Sequence, residues 1–277
     1  MQNRTLQGVF FGVVFLCAPL HAAGHRLSGE ARDSWARYTK LTEQRIEEEL
    51  KNPSPLPRSD FDYLKEGRVQ TQPLTTTDKG KEIEVKNGSV HHWHGRILVP
   101  AMDLNTLLPW LQEYDRYAAR FKEVEESELR SRSGDTFNVR LGLTRTKFKV
   151  TVHYDTEHTV VYRRNGAGRA SSRSEATRIV QLRNYGTPRM ERLPEGNDDG
   201  YLWRLNSYWR FTERDGGVIV ECESIGLSRP LGSFLSILNW FTFGKIKDIA
   251  ESVARESLED TLTALRDGVS ARAKRID

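Results

Sequence analysis

The chain has 277 residues, 37% of them hydrophobic and 29% charged, which is enough for one large or two small domains with a substantial core and excludes disorder throughout. Its 42 Lys and Arg against 38 Asp and Glu leave a formal charge of +4, a mild balance for a nucleic-acid binder. Between Arg130 and Arg192 fourteen Lys or Arg face five Asp or Glu, but these alternate with apolar residues along strand-like segments. No recognition helix or base-stacking motif accompanies them, so nucleic acid is not expected as a partner.

Met1 to Ala23 carries Arg4, an apolar run from Val9 to Leu16 and small residues at Ala22 and Ala23, the pattern of a cleaved signal peptide. The run is short for a membrane span, and bulky Leu16 before Cys17 argues against lipoprotein processing. A periplasmic or secreted protein is therefore expected. Once the leader is cleaved Cys222 is the single cysteine, so no intrachain disulfide can form, and the thiol is expected to face inward.

Residues 24–88 read as an N-terminal helical extension and linker. Ser28 to Leu50 has Trp35, Tyr38, Leu41, Ile46 and Leu50 on one stripe and is stopped by the prolines of Asn52 to Pro57. The pattern is weak through Phe61 to Leu64 and near Thr75, and the segment is too small to fold alone.

A strand is predicted over Val90 to Val99, with His92 and His94 on one face and His91 and Trp93 on the other. Two imidazoles at this spacing can bind one metal, with His153, Asp155, Glu157 or His158 as conceivable further ligands; without a definite third ligand no metal is expected. Asp103 can cap a helix running past Pro109 to Phe121 as two short pieces bent near that proline. Strand signals follow at Thr136 to Leu143, Phe148 to Tyr154 and Thr159 to Arg163. The apolar face switches from odd to even positions between Leu143 and Phe148, which requires a turn or bulge. Asn165 to Gly168 turns into a further strand ending near Leu182.

The most legible stretch runs from Tyr201 to Val269. Trp203, Leu205, Ser207, Trp209 and Phe211 alternate with Arg204, Asn206, Tyr208 and Arg210, and Asp215-Gly216 suits a two-residue turn with positive φ. That turn pairs Phe211 with Val220 and Trp209 with Cys222 on one face, and Arg210 with Glu221 and Tyr208 with Glu223 on the other. An apolar run from Phe234 to Phe243 leads into a long helix with Ile246, Ile249, Val253, Leu258, Leu262, Leu265 and Val269 at helical spacing.

The predicted order is a strand, two short helices, several antiparallel strands and a long C-terminal helix. This is an α+β class in which a curved antiparallel sheet grips the last helix, preceded by the helical extension. In the segment from Trp93 to Val99, the Tyr114, Tyr117 and Phe121 spacing, the Tyr201 to Arg229 hairpin and the last helix, the chain resembles the START-like helix-grip superfamily (SRPBCC), which includes lipid-transfer proteins and polyketide cyclases. The resemblance covers roughly Val90 to Val269, within an expected helix-grip domain of residues 89–277. It implies a cavity between sheet and helix for a hydrophobic small molecule such as a lipid, quinone or polyketide-like compound, and it allows peripheral membrane contact. Neither a cofactor nor an oligomeric state is implied.

The residues expected to line that cavity are Trp203, Leu205, Trp209, Phe211, Val220, Cys222, Val253 and Leu262, each of which also fits a filled core. One alternative is a cyclase- or hydrolase-type enzyme in which Arg204, Tyr208, Arg210, Glu221 and Glu223 point inward as a polar ladder; a solvated ion-pair face is the plainer expectation for those five. The other is an envelope interaction module using the N-terminal helix. No catalytic triad, phosphate-binding glycine loop or zinc quartet can be picked out.

Overall fold

A computed structural model describes residues 25–147, 150–230 and 243–273. The leader with Cys17, residues 148–149 and the run from Phe234 up to Phe243 lie outside the described residues, as do the side chains of Ile246 and Ile249. After the two-residue strand β1 (His25–Arg26) come helices α1 (Gly29–Lys51) and α2 (Arg58–Lys65) and the short strands β2 (Gln70–Pro73), β3 (Thr77–Asp78) and β4 (Lys81–Glu82). The long strand β5 (Ser89–Pro100) leads to helix α3 (Leu104–Leu111) and a 3-10 turn at Tyr114–Ala119. Four strands follow, β6 (Val124–Ser133), β7 (Thr136–Lys147), β8 (Val150–Arg164) and β9 (Arg169–Arg183), then β10 (Glu191–Arg192) and β11 (Asn197–Asp198). The hairpin β12 (Arg204–Arg214) and β13 (Gly217–Ser228) precedes the last helix, α4 (Phe243–Ala273).

The main antiparallel sheet has the order β2-β5-β13-β12-β9-β8-β7-β6, with β10 added on β9. Asp215 and Gly216 have φ of 50° and 76°, as the turn requires, and the pairing runs Phe211↔Val220, Trp209↔Cys222, Arg210↔Glu221 and Tyr208↔Glu223. The face switch after Leu143 is a hairpin: β7 and β8 pair Leu143↔Tyr154 through Phe137↔Val160, bringing odd and even positions onto one face. The segments ending at Tyr154 and starting at Thr159 are one strand. Strand β6 has no counterpart in the sequence reading, because this edge strand is mostly exposed and carries few apolar residues. The Ser28 hydroxyl caps α1 by accepting from Ala31 N (3.1 Å), and the Asp103 carboxylate caps α3 by accepting from Thr106 N (2.8 Å). Pro109 lies inside α3; the bend comes after Leu111, at Gln112.

Each face of the sheet has its own core. Helix α4 lies on the inward face, where Leu258, Leu262, Leu265 and Val269 join Trp93, Ile97, Phe137, Tyr162, Phe211, Val220 and Cys222. The outward face is covered by α1, through Trp35, Tyr38 and Ile46 against Ile225 and Leu227, and by α2, through Phe61 and Leu64 against Leu98 and Ile219. No helix among the described residues is long and apolar enough to cross a membrane.

Candidate functional site

The outward face is polar and buried together, contrary to the expectation of a solvated ion-pair face. Glu223 is fully buried beneath α1; it pairs with Arg45 of that helix and accepts a hydrogen bond from His92 Nε2 at 2.8 Å. Thr76 N donates to the Tyr38 hydroxyl (2.9 Å), that hydroxyl shares a hydrogen bond with His92 Nδ1 (2.8 Å), and His92 Nε2 reaches the Glu223 carboxylate. Beside this chain His94 Nε2 is 3.3 Å from Glu221, Arg210 donates to Glu49 at 2.6 Å, and the Tyr208 hydroxyl donates to Glu43 at 2.8 Å. Burial raises the pKa of Glu223, but the His92 hydrogen bond and the Arg45 charge outweigh it and bring the carboxyl down to about 2. The two imidazoles that shared a face in the sequence are thus engaged by glutamates of β13, and this polar set faces α1, away from α4.

The inward face changes along the strands. At the α3 end, one register row places Ile97, Val220, Phe211 and Ala170 side by side, all 2% exposed or less. The next row is Gly95, Cys222, Trp209, Ser172 and Tyr162, in which Trp209 is half-buried. The third is Trp93, Ser224, Ser207, Ser174 and Val160, and all three serines are half-buried although they point inward. Beyond them lie half-buried Leu205 and, further along the sheet, Ala176 and His158. Among the described residues the sheet is sealed where α3 and α4 meet it, and at mid-strand it presents three small, half-buried side chains in a row between the larger Trp93, Trp209 and Leu205.

Polar groups on this surface are few. The Tyr114 and Tyr162 hydroxyls are 3.0 Å apart at the sealed end, Trp209 Nε1 donates to Ser207 Oγ at 3.2 Å, and His158 Nε2 lies 2.8 Å from Thr156 Oγ1. Burial lowers the His158 pKa to about 4 and raises that of Tyr162 to about 12, keeping both rings uncharged near neutrality.

Of the residues expected to line a cavity, Phe211, Val220, Cys222 and Leu262 share the sealed core, with Trp209 packed against it. Leu205 belongs to a neighbouring cluster with Tyr154, Ala176 and Ile179. Val253 is half-buried on α4, and its carbonyl accepts from Arg145 at 3.2 Å. Trp203 does not join them: it precedes β12, its Nε1 donates to Asp198 (3.0 Å), and its ring packs with Trp35 and Tyr38 in the α1 cluster. Strand alternation does not extend to a residue outside the ladder, which is why Trp203 departs from its expected face. Ser207 was legible on this face and His158 as a conceivable ligand, but neither they nor Ser224 and Ser174 were read as part of a site, because small and polar residues carry no apolar signal and only the register of the sheet aligns them.

No protein-family model matches the chain, and no curated protein matches it. Among solved structures it is similar to the di-domain ARO/CYC StfQ from the steffimycin biosynthetic pathway (14% identity, TM-score 0.45, 67% of this chain and 52% of that one), so it spans about half of that protein. It is also similar to a STAR-related lipid transfer protein from Xanthomonas axonopodis (15%, 0.41, 72% and 98%) and to human STARD10 (8%, 0.45, 80% and 85%). The chain itself runs from strand β5 through two small helices and antiparallel strands to the long helix α4 on the inward face of the sheet, the α+β order expected from the sequence.

Proposed function

We propose that this is an exported binding protein for a hydrophobic small molecule, held on the inward face of the sheet between Trp93, Leu205, Trp209 and the serine row. The observation that supports it is the half-buried state of Ser224, Ser207, Ser174, Leu205 and Trp209 on a face whose far end is sealed. Apolar walls with a few placed polar groups are what such ligands require. Export rests on the pattern of the leader. The polar ladder lies beneath α1 rather than over this surface, so no enzymatic reading is built on it.

A naphthylamine dye that brightens in apolar surroundings tests the binding. The parent protein should enhance its fluorescence, and Leu205→Trp, which places bulk beside the serine row, should remove the enhancement with little change in Tm. If the parent leaves the dye dark and Leu205→Trp costs about 1–3 kcal/mol, as overpacking a filled core does, the reading fails.

A further inference from the structure

The hydrogen bonds around His158 identify the kind of ligand this surface takes, an inference that rests on the binding reading above. The Thr156 hydroxyl donates its one proton to the Leu141 carbonyl at 2.9 Å, so toward His158 Nε2, 2.8 Å away, it can only accept. The proton of the neutral imidazole therefore sits on Nε2, and Nδ1 keeps a bare lone pair. Nδ1 makes no hydrogen bond among the described residues. His158 is on the inward face, because its ladder partner Val139 belongs to the inward core, and its other partner is Ala176, one of the smallest side chains. The rows around it hold no charged side chain: Gly95, Cys222, Trp209, Ser172 and Tyr162; then Trp93, Ser224, Ser207, Ser174 and Val160; then Leu205 and Ala176. Among the described residues these rows offer a carboxylate no cation, and the inward Arg145 of β7 is already paired with Glu123 and bonded to the Val253 carbonyl on α4, so a carboxylate here would lose its hydration uncompensated, whereas a hydroxyl meets an acceptor with no donor of its own.

We propose that His158 Nδ1 accepts a hydrogen bond from the hydroxyl of the bound molecule, so that the ligand is an uncharged alcohol or phenol on an apolar body rather than a fatty carboxylate. Competition against the dye by 1-dodecanol, dodecyl methyl ether and dodecanoate tests this. In the parent protein the alcohol should compete about tenfold better than the ether, which has lost the donor, and better still than the carboxylate. His158→Phe should erase the difference by weakening the alcohol alone. His158→Asn, which returns an acceptor oxygen near the position of Nδ1, should restore part of it. Equal competition by alcohol and ether, a preference for dodecanoate, or equal weakening of all three by His158→Phe overturns the proposal and leaves the binding reading standing; a parent protein that never binds the dye fails at the binding reading instead. Nitrogen NMR of the parent supplies a check that no variant can confound. The His158 Nδ1 resonance should report an unprotonated nitrogen that shifts when 1-dodecanol is added, and a protonated or unmoved Nδ1 counts against the assignment.

Discussion

Glu223 is a carboxylate held with no exposure at all, and its ionisation depends on groups brought from two other elements, His92 on β5 and Arg45 on α1; Arg210 on β12 lies 3.8 Å away. Its folded pKa, near 2, lies below its ordinary value of 4.5. The stability it contributes is therefore complete above about pH 4.5 and lost as the pH falls toward 2. Glu223→Gln should cost about 3–5 kcal/mol at neutral pH, as breaking a buried pair does, and should flatten the acid limb. Urea unfolding followed as a function of pH measures both, and an unchanged acid limb would show that another group carries it. Cys222 makes the complementary case on the inward face. Burial pushes its thiol pKa up, and 2% exposure keeps reagents out, so native labelling should be orders of magnitude slower than labelling in denaturant. Equal rates would mean that the inward face is assigned the wrong way round.

Helix α4 and strand β5 meet at a glycine. A Cβ on Gly95 would stand 2.7 Å from Leu262 Cδ1 and 2.9 Å from Leu258 Cδ2, so the helix is seated where the strand presents no side chain. Gly95→Ala should cost about 1–3 kcal/mol by overpacking. Leu262→Ala alone should cost about 2–5 kcal/mol, and in the double variant the two losses should sum to less than their separate values, because the cavity made by one accommodates the methyl of the other. Additive losses would show that helix and strand do not touch there. At the same scale, the hairpin and both capped helices follow from local chemistry, whereas β6 does not. Its residues from Val124 to Ser133 are mostly charged or polar, and what makes them a strand is the ladder offered by β7.

For the molecule as a whole, the extension is the second layer over the sheet. With α1 and α2 removed, Glu223, His92, Ile225, Leu227, Leu98 and Ile219 would face water without the partners that bury them. A chain beginning at Ser89 should therefore lose on the order of 5 kcal/mol or fail to unfold cooperatively, even though it holds the long strands of the sheet and α4. Thermal unfolding of that fragment beside the full chain decides the matter. Equal stability would reduce the extension to an appendage.

Two periodicities were enough to determine most of the elements from sequence alone. The hairpin register, the parity switch after Leu143, the capped helices and the stripe of α4 all follow from side-chain alternation and turn chemistry, which act between residues close in the chain. Which residues seal the inward face, and what covers the outward one, was decided only by tertiary structure. The pattern from Arg204 to Arg210 with Glu221 and Glu223 reads first as a wet ion-pair surface, because local sequence does not encode that α1, more than 170 residues upstream of Glu223, brings Arg45 to neutralise it. The candidate site had the same fate. Phe211, Val220, Cys222 and Leu262 were legible as apolar and inward, yet they seal the surface; the serines and His158 that give it space and polarity come from separate strands and are aligned only by the register of the sheet.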